Sequence, residues 1–256
     1  MTTTIEPKLR GFAPLQNVSR LMGLVEQCEN RAAGLPGMGC FYGRTGYGKT
    51  TAGIVATNSY NAVHVEALPL GGIKTLLELI AAELGLKTAR ASSTQLFIGI
   101  TQELAIQRRP LIIDEADLVM SDRSADTIRL LHEKSGAPVI LMGLDVLPKT
   151  LSRWEQLHGR MLAWVAAEPA VLDDVTHLAR LYVPGVEIAQ DLKGAILAAS
   201  KSSLRYITTN LAAVRGLAAE RGLSRVGMED WGPGRAFHSV DPPPMSNTRD
   251  STMRKP

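Results

Sequence analysis

The 256-residue sequence predicts an α/β fold, in which a parallel β-sheet with helices on both faces is followed by a small α-helical lid. Three observations support this prediction. Residues 43–50 (GRTGYGKT) form a glycine-rich pattern between an apolar run and a helical one. Short apolar runs alternate with helical patterns over residues 38–167. After Pro169, three helical segments follow one another with no strand between them.

The first part of the chain contains two predicted strands, each preceded by a predicted helix. Helical periodicity covers residues 18–33 and is ended by the glycine- and proline-containing segment 34–37. The apolar run 38–42 predicts a buried strand that leads into the glycine-rich segment. A helix is predicted over residues 51–60, and alternation over residues 62–67 predicts the second strand.

Three further strands are expected in the α/β domain. An amphipathic helix is predicted over residues 73–84, and a second one, with Ser92 or Ser93 as its N-cap, over residues 92–107. The short apolar run 111–114 ends in an acid, as expected of a central parallel strand. The remaining predicted elements are helix 124–135, strand 139–142, helix 149–157 and strand 162–165.

The chain therefore divides into four predicted regions. These are an N-terminal arm (residues 1–18), the α/β domain (19–167), the lid (168–230) and a tail (231–256). The lid is predicted from the helical segments 170–182, 187–200 and 204–220, with no strand among them. The tail is rich in proline, serine, glycine and charge, so it buries little and is expected to be disordered.

The composition excludes several classes of protein. A net charge of +3 is too small for a polycation, so any nucleic-acid binding requires a local basic patch. Cys28 and Cys40 lack metal-ligand spacing and are predicted to be small buried residues in a reducing compartment. The N-terminus has no apolar signal segment, and no run approaches the roughly 18 apolar residues of a membrane helix. We therefore expect a cytoplasmic protein without a membrane partner.

Residues 43–50 fit G-x-x-x-x-G-K-[ST] at every fixed position and predict a phosphate-binding loop for ATP. The glycines allow backbone N–H groups to surround anionic oxygens, and the helix N-terminus adds partial positive charge. Lys49 is expected to reach the β- and γ-phosphates, and the Thr50 hydroxyl to bind Mg²⁺. The predicted nucleotide contacts in this segment are Gly43, Arg44, Thr45, Gly46, Tyr47, Gly48, Lys49, Thr50 and Thr51.

An acidic pair forms the second half of the predicted site. A buried strand ends in Asp114, with Glu115 next, so both carboxylates should lie at the carboxyl edge of the sheet, beside the phosphate-binding loop. Asp114 is predicted to hold Mg²⁺ through water and to contact the nucleotide site, and Glu115 to act as the general base. Asp117 has two interpretations, the cap of the next helix, which we favour, or a contact with the metal shell.

Together these motifs resemble the AAA+ ATPases, and within them the MuB/TnsC/TniB group of transposition ATPases. Four segments within residues 10–220 support the resemblance: 11–18 (GFAPLQNV), 43–50 (GRTGYGKT), 110–117 (PLIIDEAD) and 203–207 (SLRYI). The nucleotide motifs are specific for an ATPase, whereas secretion-type ATPases of similar size share much of the rest. The resemblance implies a five-stranded parallel sheet in the order 5-1-4-3-2 and a C-terminal lid.

The resemblance also implies arginines that complete the catalytic site. Arg205 matches the lid arginine that senses the γ-phosphate, although a solvated surface arginine is the alternative. Arg160 or Arg153 matches the arginine finger that reaches a neighbouring subunit, and we favour Arg160. Asp145 stands near the position where the family has Asn, Thr or Ser to orient water, so it either substitutes for that residue or caps a helix.

DNA contacts are implied at Lys74, Lys87 and Arg90, which match insertions that line the inside of a helical oligomer; solvated helix ends are the alternative. The C-terminal residues 249–255 are a further candidate for phosphate or partner contact.

The implied function is that of a slow ATPase, stimulated by DNA, a transposase or both, that forms homo-oligomeric filaments on double-stranded DNA. Such a filament selects target DNA and activates a DDE transposase in a bacterial host. The alternative is an AAA+ ATPase that acts on a protein partner, such as a helicase loader or a secretion-type ATPase. DNA-stimulated hydrolysis distinguishes the two.

Overall fold

A five-stranded parallel sheet lies at the centre of the α/β domain. Its strands in the computed structural model, which describes residues 14–239, are β1 (Met38–Tyr42), β2 (Val63–Glu66), β3 (Leu111–Asp114), β4 (Val139–Gly143) and β5 (Met161–Ala166). Their spatial order is β2-β3-β4-β1-β5, which confirms the predicted order 5-1-4-3-2. The segment that follows β1 is therefore flanked by the carboxyl ends of β4 and β5.

Within the described residues, eight helices of ten residues or more either pack on the sheet or form the lid. They are α1 (Gln16–Glu29), α2 (Lys49–Tyr60), α3 (Ile73–Glu83), α4 (Ser93–Gln107), α5 (Asp122–Ser135), α8 (Leu172–Tyr182), α9 (Gln190–Ala199) and α10 (Leu204–Arg221). Three shorter ones are α6 (Leu147–Leu151), α7 (Glu155–His158) and α11 (Met228–Trp231). None of these helices is both long and apolar enough to cross a bilayer.

Two buried apolar clusters lie on opposite faces of the sheet. Phe41 and Ile112 belong to the cluster that contains α1, α2 and the lid helices. Their chain neighbours Cys40 and Ile113 belong to the cluster formed with α3, α4 and α5. This alternation follows from the two-residue period of a strand, and it explains why the strands are apolar throughout. The lid thus shares one continuous core with the α/β domain.

The two cysteines are buried and free, as the sequence predicts. Burial raises the pKa of the Cys28 thiol to about 12 and also raises the pKa of Cys40. Both side chains therefore act as small apolar residues rather than as nucleophiles.

The lid differs from the prediction of helices alone. A two-stranded parallel sheet joins β6 (Glu187–Ile188) to β7 (Arg225–Val226), and α11 follows it. The expectation of no strand in this region is therefore wrong. Strands of two residues are too short for a periodic pattern, and their partners lie on either side of α9 and α10, so local sequence reasoning missed them.

The helix predicted over residues 149–157 is in fact two short helices, α6 and α7. The break lies at residues 152–154, where the Trp154 indole N–H donates to the Asp122 carboxylate at 2.8 Å. This contact with the first turn of α5 depends on tertiary structure, so the local periodicity could not reveal it.

The predicted boundary at residue 18 lies inside α1, which begins at Gln16. The Gln16 backbone N–H donates to the Asp174 carboxylate of α8 at 2.9 Å, so a distant helix satisfies the start of α1. Residues 1–13 of the predicted arm and residues 240–256 of the predicted tail lie outside the described residues.

Candidate nucleotide-binding site

The glycine-rich loop leaves β1 at the carboxyl edge of the sheet and ends in the first turn of α2. Gly46 and Gly48 have φ angles of 88° and 81°, which favour glycine. A Cβ at Gly48 would also collide with the Leu204 side chain, and one at Gly46 with Ser203. The backbone conformation therefore favours glycine at both positions, and any larger side chain there would also displace a side chain of the lid.

Lys49 is held inside this loop. Its side chain donates to the Gly43 carbonyl at 2.7 Å and to the Arg44 carbonyl at 3.2 Å, and only 6% of the residue is exposed. Burial lowers the pKa of the ammonium group, and the nearby carboxylates of Glu115 and Asp114 oppose that effect. These two carbonyl groups are neutral, so they do not cancel the charge of the ammonium. The binding of a phosphate by Lys49 stays a prediction.

Thr50 and Asp114, the two residues predicted to bind Mg²⁺, lie in contact. The Thr50 hydroxyl donates to Asp114 Oδ2 at 2.8 Å, and Asp114 Oδ1 accepts the Glu115 backbone N–H at 2.9 Å. Asp114 is only 1% exposed. A hydroxyl and one carboxylate beside a phosphate loop are the ligands expected of Mg²⁺, which retains water and phosphate oxygens as its other ligands. The residues present therefore fit ATP with Mg²⁺.

Glu115 follows Asp114 in a left-handed conformation, with φ at 51°. This conformation is uncommon for a residue with a side chain and is often found at functional sites. Burial raises the pKa of Glu115, the charge of Asp114 raises it further, and Lys49 acts in the opposite direction. Glu115 lines the same cavity as Lys49 and Thr50, which is where a general base must lie.

Asp117 does not cap the next helix, because Ser121 does so by accepting the Ser124 backbone N–H. The favoured interpretation of Asp117 is therefore wrong. Its Oδ2 accepts the Leu144 N–H at 2.7 Å, which joins the end of β3 to the end of β4. Its Oδ1 is buried and forms no hydrogen bond with the described residues. Burial raises the pKa of this carboxyl.

Asp145 lies in the exposed turn after β4, and its charge acts on Lys49. It is not the N-cap of α6, which is Val146. Its role in orienting water stays a prediction.

The lid closes directly on the loop. The Leu204 N–H at the start of α10 donates to the Gly46 carbonyl at 2.8 Å. The resulting cavity of about 270 Å³ holds Arg205 together with Lys49 and Glu115. A change in the angle of α10 would therefore move Arg205 relative to the phosphate loop, as expected of a residue that senses the nucleotide.

An apolar wall of the same cavity was not predicted from the sequence. It is formed by Leu15, which precedes α1, and by Leu178, Leu181 and Tyr182 of α8. Such side chains suit the flat apolar surface of a nucleobase. Leu15 is more than 150 positions from the three α8 residues, and those three form an ordinary helical pattern, so no local signal marks the wall.

Asn17 connects three parts of the site and was also missed. Its side-chain amide donates to the Tyr47 carbonyl of the loop and to the Glu168 carbonyl, each at 2.8 Å. Its Oδ1 accepts the Glu168 N–H at 2.8 Å. With 4% exposure, Asn17 ties α1, the phosphate loop and the connection from β5 to the lid.

Asn17→Ala is expected to lower the free energy of unfolding by roughly 2–3 kcal/mol, because it leaves buried backbone groups without partners. Asn58→Ala is the control, since Asn58 is exposed and donates only to the Ile54 carbonyl within α2. Urea unfolding should show a change well below 1 kcal/mol for the control. Equal effects of the two substitutions would contradict the connecting role of Asn17.

Several predicted residues lie away from the cavity. Arg160 precedes β5 at the opposite edge of the sheet, where its Nε donates to Glu133 at 2.7 Å. Arg153 lies in the exposed connection between α6 and α7. Neither arginine lines the nucleotide cavity of its own chain. An arginine finger acts on a neighbouring subunit, so the prediction stays open for both.

The predicted DNA contacts are also separate from the site. Lys74 is exposed on α3 and pairs with Glu78 at 3.6 Å. Lys87 and Arg90 are exposed in the connection between α3 and α4. Within residues 14–239, no three His, Cys, Asp or Glu side chains cluster in a way that could hold a metal ion.

Comparisons with known proteins agree with this geometry. Residues 33–151 match the family model described as AAA domain. Among solved structures, Cdc6p from Pyrobaculum aerophilum has a TM-score of 0.65 and 17% identity, over 90% of this chain and 68% of that one. Aeropyrum pernix ORC1, solved in complex with DNA, has a TM-score of 0.58 and 17% identity, over 88% and 63%. No curated protein matches the sequence.

A third similar structure is RuvB of Thermotoga maritima, a Holliday junction branch migration motor, with a TM-score of 0.56 and 17% identity. It matches over 84% of this chain and 66% of the RuvB chain. This chain therefore spans less than two thirds of the length of ORC1 (63%) and of RuvB. At this identity the likeness shows the fold.

The fold and the candidate site are similar to those of P-loop NTPases of the AAA+ type. The segment that matches the AAA domain model, residues 33–151, is followed by a lid whose α10 contacts the glycine-rich loop.

Proposed function

We propose that this protein is an ATPase whose nucleotide state controls binding to double-stranded DNA. The observation that supports it best is the hydrogen bond between Thr50 and Asp114, with Glu115 and the lid residue Arg205 lining one cavity. This arrangement supplies a metal-binding pair, a base and a lid cation at one phosphate loop.

Each residue has a definite part in the proposed reaction. Lys49 and the loop N–H groups bind the phosphates, and Thr50 with Asp114 would hold Mg²⁺. When bound, Mg²⁺ offsets the charge of the phosphate oxygens. Glu115 orients a water molecule and accepts its proton, and Arg205 stabilises charge from the lid. The expected products are ADP and phosphate.

A neighbouring subunit is proposed to complete the site with an arginine. Arg160 remains our first choice and Arg153 the second. Arg160 lies at the sheet edge opposite its own phosphate loop, which suits a residue that acts on another chain. On assembly, Arg160 would have to leave Glu133, or contact Glu133 and the neighbouring nucleotide at the same time.

Within this proposed function, the more specific proposal is a role in DNA transposition. In it, ATP drives assembly of a helical homo-oligomer on DNA, and the filament marks target DNA for a DDE transposase. The sequence motifs shared with the MuB/TnsC/TniB group support this, and ORC1 and RuvB provide two DNA-associated proteins of the same fold. Phosphate contacts from many subunits would make binding cooperative and tolerant of sequence.

Steady-state hydrolysis with and without double-stranded DNA tests the DNA proposal. We expect slow hydrolysis by the protein alone and a severalfold increase with duplex DNA of unrelated sequences. A poly-anion such as heparin serves as a control for charge alone. Hydrolysis that duplex DNA leaves unchanged would contradict the proposal and favour an ATPase directed at a protein partner.

A further inference from the structure

The amino edge of the sheet, opposite the phosphate loop, carries a group of arginines that the nucleotide site does not use. Residues that precede the strands meet at this edge. The Val139 N–H donates to the Gly37 carbonyl at 3.2 Å, and the Leu111 N–H to the Pro138 carbonyl at 2.9 Å. The connections before β1, β3 and β4 are therefore neighbours in space.

A cavity of about 680 Å³ opens between these connections. Its walls are the backbone after α1, the C-terminal end of α4 and the connection before β4. Arg31 and Arg108 line it together. Glu29 also lines it, and no ion pair among the described residues joins Glu29 to either arginine.

Two arginines at this edge are fixed by neutral oxygens. Arg31 donates to the Cys28 and Gly136 carbonyls, each at 2.7 Å. Arg109 donates to the Asn61 carbonyl at 2.6 Å and to the Gln107 side-chain oxygen at 3.1 Å. Carbonyl groups position a guanidinium without neutralising it. Each side chain therefore keeps its full positive charge while losing much of its conformational freedom.

Arg108 completes the group. It is the C-cap of α4, with φ at 52°, and its backbone N–H donates to the Leu104 carbonyl. Its exposed side chain forms no hydrogen bond or ion pair with the residues that the structure describes. The nearby Arg160 differs, because Glu133 binds both it and Arg129.

We propose that Arg31, Arg108 and Arg109, here named the amino-edge cluster, bind the phosphodiester backbone of double-stranded DNA. This inference rests on the proposed DNA-binding function and names a surface for it. Arginine is the residue best suited to phosphate oxygens, because its guanidinium donates in a planar fork. Contacts of this kind fix a protein on DNA without reading its sequence.

The position of the cluster also suits this role. The amino edge is the far side of the sheet from Lys49 and Glu115, so DNA can bind there without displacing the nucleotide. Lys74, in contrast, already pairs with Glu78, which offsets its charge.

The test measures DNA affinity against salt concentration for Arg108→Ala, Arg108→Glu and the control Arg215→Ala. Arg215 is an exposed arginine on α10 in the lid. The probe is a fluorescent duplex with a non-hydrolysable ATP analogue. Arg108→Ala should weaken binding and reduce the slope of log K against log salt by about 0.9 per bound protomer, the value for one phosphate contact. Arg108→Glu should weaken binding further, and Arg215→Ala should match the wild type.

Hydrolysis without DNA should be unchanged in both Arg108 variants, which shows that the nucleotide site is intact. DNA binding that keeps the wild-type affinity and slope in Arg108→Ala and Arg108→Glu would overturn the amino-edge inference alone. Absence of DNA binding by the wild-type protein would overturn the inference together with the proposed function on which it rests.

Discussion

Glu115→Gln is expected to lower the rate of ATP hydrolysis by about 10²–10⁴-fold while leaving ATP binding nearly intact, because it removes only the proposed general base. Glutamine has the shape of glutamate but cannot accept a proton. It also removes a carboxylate whose ionisation burial and Asp114 disfavour, so the folded protein should not be weakened. Single-turnover hydrolysis and nucleotide binding should be measured together.

The matched control is Glu220→Gln, at an exposed position on α10, which should hydrolyse ATP like the wild type. If hydrolysis in Glu115→Gln stays within about threefold of the wild type, Glu115 is not the base. Under the proposed function, Glu115→Gln should also stay on DNA longer in ATP, because hydrolysis would no longer drive disassembly.

The pH dependence of hydrolysis provides an independent check on Glu115. Its pKa is raised above 4.5, so the carboxyl remains protonated to a higher pH than an ordinary glutamate. A protonated carboxyl cannot act as a base, so the rate should fall on the acidic side at a pH above 4.5. Glu115→Gln should lose this acidic limb from its residual activity.

Lys49→Ala should have the second large effect, the loss of nucleotide binding. Lys49 supplies the buried ammonium at the loop, and its present partners are two carbonyl oxygens of that loop. Alanine would leave the phosphates without this charge, and affinity for ATP should fall by about 10²-fold or more, equivalent to the roughly 3 kcal/mol of a charged hydrogen bond. Fluorescent nucleotide titration measures the effect.

Lys193→Ala on α9 is the control for Lys49→Ala, and it should bind ATP normally. Thermal unfolding of both variants without nucleotide separates binding from folding. Wild-type nucleotide affinity in Lys49→Ala would show that the loop does not bind phosphate as proposed.

The parts that could be predicted from sequence share a local signal. The bounds of β1 and β3 are as predicted, because each is a short apolar run with a sharp end. Ser92 is the N-cap of α4, with the reciprocal Gln95 contact of a capping box. The phosphate loop and the acids at the end of β3 were recognisable because their chemistry needs fixed residues at fixed spacing.

The parts that could not be predicted depend on distant contacts. The start of α1 is set by Asp174, and Asn17 acts through backbone groups more than 25 positions away. The apolar wall formed by Leu178 and Tyr182 looks like any helix face until the lid is placed over the loop. Arg31 of the amino edge precedes β1, whereas Arg108 and Arg109 precede β3, and only the strand order brings these two connections together.

Negative-stain electron microscopy of the wild-type protein on linear double-stranded DNA tests the central claim most directly, with ATP or ADP and with Lys49→Ala alongside. We expect the wild-type protein to form filaments on DNA in the presence of ATP. No filaments should form with ADP, or with Lys49→Ala in ATP. Particles that look the same with and without DNA, and in ATP and ADP, would contradict the proposed function.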